Sequence, residues 1–494
     1  MDEFQDHYAV LGLQRDASAE EIRRAYHRKA RKLHPDVSQE TGATELFLQL
    51  QKAYEVLSDP AQRAAYDQTL PPISAPPLAT LSILYSRPSL VHIREPQLIY
   101  TLIELSPPEN APVGPGLPLN ICLVIDRSTS MQGERMDMVK ATALELVRQL
   151  RPEDSLSIVV FNDRAETLVS ASQRLNRHAI EEQIRHIIPS GGTEIFHGLE
   201  AGYMEVRSKA TRNAANHIIL ITDGRTYGDE EQCMLIADQA AVAGIGISAL
   251  GIGEEWNDAL LDNLTSRTGG SSTYVAQPGD IKEFLWQKFN GLGKVYAERV
   301  NLEVLFKSGV ELTYAFRLSP DVAPLQVSSP IALGGIPQKA NMTVLLELKV
   351  PPLYGTTDSL PLAEGRFILD IPVASRSGYS LPLTLARPVS AKPVIQPPPT
   401  RLLQAMSRLK LYRLQERAQQ KLAEGQSESA TRHLQNLATH LFAQGKQDLA
   451  RAVLDEIEYI QHNKQISEKG KKRIKYGTRA LLLPAGYLDS QPVD

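Results

Sequence analysis

Four mainly apolar runs in the middle of the chain restrict its fold more than any other feature of the sequence. Such runs are typical of strands covered on both faces, as in a parallel sheet. They lie at residues 120–126, 155–161, 217–223 and 244–253. Between them, apolar residues recur at helical spacing over residues 136–150, 177–187, 195–206 and 230–242. The alternation predicts a doubly wound α/β domain, in which ligands bind at the carboxyl ends of the strands.

Oxygen-bearing side chains follow two of these predicted strands. Asp126, Ser128 and Ser130 stand at the end of the first run, and Asp223 ends the third. Thr193 follows two glycines in a loop between predicted helices. Each residue alone could cap a helix or form a turn. Together they predict a site for Mg²⁺ or another hard divalent cation, which prefers oxygen ligands.

This set resembles the metal-ion-dependent adhesion site of von Willebrand factor A domains, over residues 118 to about 292. The resemblance rests on the Asp-x-Ser-x-Ser signature, the Gly-Gly-Thr loop and the strand that ends in Thr-Asp-Gly. It implies that all five residues coordinate the ion, some directly and some through water. It also implies that an acidic side chain of a protein partner completes the coordination. We therefore expect a site that binds a partner.

The first 70 residues are patterned as helices. Ser18 and Glu21 form a capping box, and a helix with a strongly basic face is predicted over residues 19–33. Phe47 and Leu57 mark a second helix. Between the two lies His34-Pro35-Asp36, which is predicted to form the exposed tip of a hairpin because proline disfavours helical geometry in the residue before it.

This segment resembles a J domain, the module of DnaJ-type co-chaperones, over residues 6–67. The matching stretches are DHYAVLGLQRDASAEEIRRAYHRKARKLHPD and QKAYEVLSDPAQRAAYD. The resemblance implies binding to a DnaK-type chaperone and stimulation of its ATPase. The residues that it assigns to this contact are Arg23, Arg24, Arg28, Lys32, His34, Pro35 and Asp36. Many J domains have a basic residue before the phenylalanine of the third helix, where this chain has Leu46-Phe47.

The remaining segments complete a predicted multidomain chain. Proline-rich linkers at residues 71–78 and 389–400 separate a J domain (1–70) and a C-terminal helical domain (401–494) from the centre. Around the A domain (116–296), residues 79–115 and 297–388 show the alternation of half-buried strands. One strand pair would not be stable alone, so we expect both flanks to form one β-sandwich with the A domain inserted in it. Residues 316–340 fit strands or loops equally.

The C-terminal segment contains two similar stretches twenty residues apart, AEGQSESATRHLQNL and AQGKQDLARAVLDEI, which predict helical hairpins. A basic stretch follows them. Its cations are Lys464, Lys469, Lys471, Lys472, Arg473, Lys475 and Arg479. We expect a solvated end here in preference to a contact with an acidic partner or nucleic acid, because only Tyr476 is available for stacking on bases.

Composition excludes several classes of protein. The net charge of -4 over 494 residues does not favour nucleic acid or anionic membranes. No run reaches the roughly twenty apolar residues that cross a bilayer, so a cytoplasmic location is expected. Two cysteines are too few for a disulfide scaffold or a multi-cysteine zinc module.

Three functions fit these features. The first is a non-enzymatic co-chaperone or adaptor that captures a protein partner through the Mg²⁺ site and recruits a DnaK-type ATPase. The second is an adaptor subunit of a ring-shaped AAA+ ATPase, a role of A domains in metal chelatases. The third is a cation-dependent phosphoester enzyme. The sequence disfavours it, because no histidine lies within local reach of Ser128 or Ser130 and no Walker loop is present.

Overall fold

The computed structural model describes residues 7–11, 13, 17, 19–33, 43–69, 77–111, 114, 116–172, 176–226, 228–277, 279–354, 358–374, 376–394 and 396–482. The chain forms two compact units, Met1–Pro77 and Leu78–Asp494. In the described part of the chain, no helix is both long and apolar enough to cross a lipid bilayer.

The described residues of the first unit lie mainly in helices. Their bounds are α1 His7–Leu11, α2 Ala19–Leu33, α3 Ala43–Ser58 and α4 Pro60–Thr69. Leu11, Ile22 and Leu50 are buried in their common core, and the rings of Tyr26 and Tyr54 stack with their centroids 4.1 Å apart. The helix predicted over residues 19–33 is confirmed. Its apolar positions recur on one face, and that face packs against α3.

The second unit contains an α/β domain with a single six-stranded sheet. It is preceded by β1 Thr80–Tyr85, β2 Leu90–Val91 and β3 Gln97–Ser106. The strands of the α/β domain are β4 Leu119–Asp126, β5 Ser155–Phe161, β6 Ala165–Ser172, β7 Ala215–Thr222, β8 Gly246–Ile252 and β9 Ser272–Val275. Its helices are α5 Glu134–Gln149, α6 Arg177–Arg185, α7 Ile195–Lys209, α8 Glu230–Val242, α9 Asp258–Arg267 and α10 Asp280–Leu292.

The sheet has the order β6-β5-β4-β7-β8-β9, and all its neighbours are parallel except β5 and β6. Helices cover both faces. One apolar core contains residues of α5, α6 and α10, and the other contains residues of α7, α8 and α9. The predicted doubly wound α/β fold is therefore confirmed. The strand β6 was not predicted, because it lies at the sheet edge with only one fully buried residue, so it lacks a continuous apolar run.

The α/β domain is inserted in a β-sandwich, as predicted. The later strands are β10 Val295–Phe306, β11 Glu311–Ser319, β12 Ala323–Pro324, β13 Ile331–Pro337, β14 Met342–Val350, β15 Ser359–Ile371 and β16 Arg376–Ser390. They complete two five-stranded sheets, β1-β3-β14-β11-β12 and β13-β10-β15-β16-β2. Leu105 of β3 lies opposite Met342 of β14, so strands from both sides of the insertion pair directly. Residues of both sheets form one apolar core.

Hydrogen bonds join the inserted domain to the sandwich and also join the two ends of the insertion. The buried Arg317 donates hydrogen bonds from Nη1 to the carbonyl oxygen of Gly269 (2.6 Å) and from Nη2 to that of Gly270 (2.8 Å). Where the chain enters and leaves the insertion, the amide of Leu117 donates to the carbonyl oxygen of Gly293 at 2.8 Å. The two ends of the insertion are therefore joined to each other.

The C-terminal helices are α11 Thr400–Ala423, α12 Ser427–Ala443, α13 Gln447–Asn463 and α14 Glu468–Ala480. The two similar stretches correspond to α12 and α13. Each of these helices follows a glycine with positive φ, 74° at Gly425 and 72° at Gly445, which ends the preceding helix. Ala430 and Ala450, twenty residues apart, are both buried between the helices. Tyr412 of α11 packs in the apolar contact with the sandwich.

The prediction of a solvated basic end is wrong for the buried face of α14, whereas Lys464, Lys469 and Arg473 are exposed as predicted. Lys472, Lys475 and Arg479 are buried. Asp262 of α9 accepts hydrogen bonds from both Nη atoms of Arg479 (2.6 and 2.9 Å) and lies 2.8 Å from Lys475 Nζ. We call this contact the α14–α9 interface. The basic stretch therefore binds acidic residues of its own chain, which lie about two hundred positions earlier in the sequence.

Candidate functional site

The predicted metal-binding residues meet at the carboxyl ends of two adjacent parallel strands. Asp126 is the last residue of β4, and Asp223 follows β7 directly. Ile125 and Ile221 are register partners, so the two aspartates begin their turns at the same edge of the sheet. Both side chains are buried. This location is the crevice where an open α/β sheet binds its ligands.

Asp126 is held by hydrogen bonds to both carboxylate oxygens. The amide of Ser128 donates to Oδ1 at 2.7 Å, and the hydroxyl of Thr222 donates to Oδ2 at 2.6 Å. Burial raises the pKa of Asp126 to about 6, although these hydrogen bonds lower it; the charge of Asp223 raises it further. Two buried carboxylates side by side are costly unless a cation neutralises them. Their oxygens and the nearby hydroxyls fit a hard divalent cation.

Asp223 is linked to the serines of the loop after β4. The hydroxyl of Ser130 donates to Asp223 Oδ1 at 2.7 Å, and the hydroxyl oxygens of Ser128 and Ser130 are 3.0 Å apart. The other oxygen, Oδ2, accepts a hydrogen bond from the guanidinium of Arg135. Two carboxylates, two serine hydroxyls and one arginine thus form one connected group.

Thr193 reaches the same place from another loop. A Cβ atom on Gly224, the residue after Asp223, would lie only 2.7 Å from Thr193 Oγ1, so the absence of a side chain at Gly224 lets the threonine approach. The amide of Gly192 donates to both carboxylate oxygens of Asp163 at 3.1 Å, which fixes the loop before Thr193. The structure therefore brings all five predicted residues to one crevice.

Two residues of this crevice were not predicted as functional. Thr222 orients Asp126, and its position in the Thr-Asp-Gly strand end is a signal that could have identified it. Arg135 lies in the first turn of α5, five positions after Ser130. No spacing rule connects an arginine there with Asp223, which is 88 residues later. Only the fold brings them together.

No group of three or more histidine, cysteine, aspartate or glutamate side chains with the geometry of a metal cluster occurs among the described residues. The candidate site has two carboxylates, and its remaining oxygens come from hydroxyls. Such a set leaves coordination positions for water or an incoming ligand on a six-coordinate ion.

The predicted chaperone contact is described only in part. Arg23, Arg24 and Arg28 project from α2 and are exposed, and Arg24 forms an ion pair with Glu20 one turn earlier. The side chain of Lys32 lies outside the described residues. So does the triplet of residues 34–36, His-Pro-Asp.

Family models match three segments of the chain. They are the DnaJ domain over residues 6–67, the von Willebrand factor type A domain over residues 120–287, and an Sll0103-like C-terminal alpha-helical domain over residues 400–484. The chain carries a DnaJ domain and a von Willebrand factor type A domain. The predicted resemblances to both are thus confirmed.

Relatives match different parts of the chain. An uncharacterized protein, sll0103, of Synechocystis is 26% identical over 380 residues, which cover 74% of this chain and 89% of that protein. The chaperone protein DnaJ of Thermosynechococcus vestitus is 59% identical over 63 residues. That match spans 13% of this chain and only 17% of the chaperone, and it is about as long as the DnaJ domain match over residues 6–67.

Solved structures share the fold of the larger part of the chain. A von Willebrand factor type A protein from Catenulispora acidiphila has a TM-score of 0.64 and 13% identity, over 83% of this chain and 98% of that one. The ArnB paralog VWA2 from Sulfolobus acidocaldarius has a TM-score of 0.50 and 17% identity, over 83% of this chain and all of that one. Both matches extend well beyond residues 120–287 of the A domain, so the shared fold includes part of the rest of the second unit.

Proposed function

We propose that this protein is a non-enzymatic co-chaperone and adaptor, which captures a protein partner through a Mg²⁺-dependent A-domain site and recruits a DnaK-type chaperone. The observation that carries the proposal is the connected, buried pair Asp126 and Asp223 in a chain that also has a DnaJ domain. In this proposal the A-domain site selects a partner, and the DnaJ domain recruits an ATPase to that partner. We propose a cytoplasmic location, where the ATP for such a chaperone is available.

In this proposal the ion is held by Asp126, Ser128, Ser130, Thr193 and Asp223. A bound Mg²⁺ supplies a Lewis-acidic position for a carboxylate oxygen of the partner. The chain prepares the ligands by hydrogen bonding. Thr222 and the Ser128 amide fix the Asp126 carboxylate, and Asp223 orients the Ser130 hydroxyl. We assign no catalytic residue, because the hydroxyls face carboxylates and each other, and none of these contacts involves a histidine base.

The chaperone-binding part of the proposal concerns the DnaJ domain. Three exposed arginines of α2 would meet an acidic surface of a DnaK-type partner, and His34, Pro35 and Asp36 would trigger its ATP hydrolysis, with Lys32 beside them. The high identity to a DnaJ chaperone over this segment supports the assignment. We also propose the domain limits predicted from the sequence, with the J domain ending near residue 70 and the helical domain beginning near residue 401.

Metal binding tests the A-domain site. We expect Mn²⁺ and Mg²⁺ to bind the full chain with one-to-one stoichiometry in isothermal titration calorimetry. Asp126→Asn should abolish binding, because it removes a charge that the ion needs. Asp137→Asn, an exposed aspartate of α5, serves as the matched control and should bind normally. Unchanged affinity in Asp126→Asn would refute the metal site.

Steady-state ATP hydrolysis by a bacterial DnaK tests the role of the DnaJ domain. The full chain should stimulate hydrolysis, and His34→Gln should abolish the stimulation while metal binding stays intact. Reversal of charge at Arg23, Arg24 and Arg28 to glutamate should weaken it in a salt-dependent way. Arg432→Glu, on the exposed face of α12, is the control. Stimulation that survives His34→Gln would contradict the proposal, and co-purification of an AAA+ ATPase without DnaK would favour the other adaptor function.

A further inference from the structure

Arg135 binds a carboxylate oxygen of one of the proposed metal ligands, Asp223. It is the second residue of α5, and its Nη1 donates to Asp223 Oδ2 and lies 3.4 Å from the carbonyl oxygen of Ser130. The ion pair joins a fully buried carboxylate to a side chain that is still 36% exposed. The Asp223 carboxylate is therefore fixed in the interior, whereas the Arg135 side chain has a path to solvent.

The guanidinium of Arg135 packs against Gly253, where a larger residue would not fit. Gly253, with φ of 69°, lies beside it, and a Cβ atom there would be 2.8 Å from Arg135 Nη2. The backbone of Gly253 is held on both sides: its amide donates to Val275 at 3.0 Å, and its carbonyl oxygen accepts from Trp256 Nε1 at 3.0 Å. One side of the Arg135 guanidinium therefore packs against the fixed backbone of Gly253, and the other side faces solvent.

Both carboxylate oxygens of Asp223 already accept hydrogen bonds. Oδ1 of Asp223 accepts from Ser130, and Oδ2 accepts from Arg135. A hydroxyl can rotate its hydrogen away and still serve as a ligand to a metal. A guanidinium cannot, because it has five N–H donors, no acceptor and a permanent charge. The arginine and a divalent cation therefore compete for Asp223.

We propose that Arg135 is a built-in counter-ion, which neutralises Asp223 in the metal-free protein and must be displaced before a divalent cation binds. This inference rests on the proposed function of the same site. Arg135 then sets the cation concentration at which the site becomes ready for its partner. A protein without this competitor binds the ion more tightly and loses the threshold.

The test measures Mn²⁺ and Mg²⁺ affinity of the full chain by calorimetry in wild type, Arg135→Gln and Arg148→Gln. Arg148 lies on the same helix and pairs with Glu181, away from the crevice, so it is the matched control. Arg135→Gln should bind Mn²⁺ about tenfold more tightly, since displacement of a charge-assisted hydrogen bond no longer opposes binding; tenfold corresponds to about 1.4 kcal/mol. Arg135→Lys should fall between the two, because it keeps the charge without the planar fork.

A second readout is the stability of the protein, measured without and with the metal. Without the ion, Arg135→Gln should be less stable than wild type in urea unfolding, and saturating Mn²⁺ should stabilise it more than it stabilises wild type. Suppose that wild type binds Mn²⁺ and that Asp223→Asn abolishes this binding. If Arg135→Gln then binds Mn²⁺ no more tightly than wild type does, this inference is overturned and the proposed metal site still stands. Absence of binding in both wild type and Arg135→Gln would overturn the metal site and this inference together.

Discussion

Asp262 is the residue whose removal most directly tests the α14–α9 interface. Its side chain accepts hydrogen bonds from Arg479 at 2.6 and 2.9 Å and lies 2.8 Å from Lys475. Burial alone would raise the pKa of Asp262, but the charges of Arg479 and Lys475 outweigh it and hold the pKa well below its usual range. The carboxylate is therefore ionised in the folded protein at any pH near neutrality.

The free-energy cost of Asp262→Ala depends on the partners that Arg479 and Lys475 keep when the carboxylate is removed. Arg479, with 4% of its side chain exposed, keeps only the hydroxyls of Ser272 (3.1 Å) and Tyr412 (3.3 Å) as partners to its Nη atoms. Lys475 retains Asp258 at 2.5 Å. Removal of one member of a buried ion pair costs about 3–5 kcal/mol, and we expect about 3 kcal/mol here because the lysine keeps a carboxylate. The equilibrium for release of α14 should then shift by about 100-fold.

Hydrogen–deuterium exchange with mass spectrometry measures that shift. Where closing is faster than chemical exchange, amides of α14 should exchange about 100-fold faster in Asp262→Ala, while peptides of β4 and β7 stay protected. Asp455→Ala, an exposed aspartate of α13, is the control. Unaltered protection of α14 in the variant, or the same change in the control, would refute the reasoning.

Three further outcomes are expected. Gly198→Ala would place a Cβ atom 2.5 Å from the ring of Phe161 and should destabilise the A domain by about 1–3 kcal/mol in urea unfolding, whereas an unchanged midpoint would show that the ring can move. Arg317→Met should speed cleavage between the A domain and the sandwich in limited proteolysis, because four carbonyl oxygens lose their donor, those of Gly269 and Gly270 in the A domain among them; unaltered cleavage would argue against this joint. Burial, and next the charge of Lys288, lower the pKa of His217 to about 3. The unfolded chain therefore takes up a proton below about pH 6.5 that the folded chain does not, so stability should fall from pH 7 toward pH 4, less steeply in His217→Gln; equal slopes would contradict this assignment.

The candidate site could be predicted because its signals are local. Asp126, Ser128 and Ser130 follow one apolar strand within five residues, and the strand itself is recognisable from its continuous apolar run. The rule that parallel strands end at one edge then brings Asp223 to the same place. Each step uses a short stretch of sequence.

The features that could not be predicted depend on contacts between distant segments. Arg135 has no local feature that distinguishes it from other arginines in first turns of helices. The basic residues of α14 look like a solvated run, because their partners Asp258 and Asp262 lie more than 200 positions earlier. A charge run on a helix is buried only when another element supplies matching charges, and sequence spacing carries no information on that element.

The hydrogen bond between Leu117 and Gly293 has a consequence for the order in which the protein is made. As the second unit leaves the ribosome, β1 to β3 appear before the A domain, but β14, the partner of β3 in the sandwich, follows only after the whole A domain. All strands of the A domain lie within the insertion, so it can fold first. Its folding joins Leu117 to Gly293 and converts a loop of more than 170 residues into a short link. The loop between Leu105 and Met342 is thereby shortened to roughly a quarter of its length, which by loop-closure entropy lowers the cost of pairing β3 with β14 by roughly 1 kcal/mol. The A domain thereby acts as an internal assembly aid for the sandwich that encloses it.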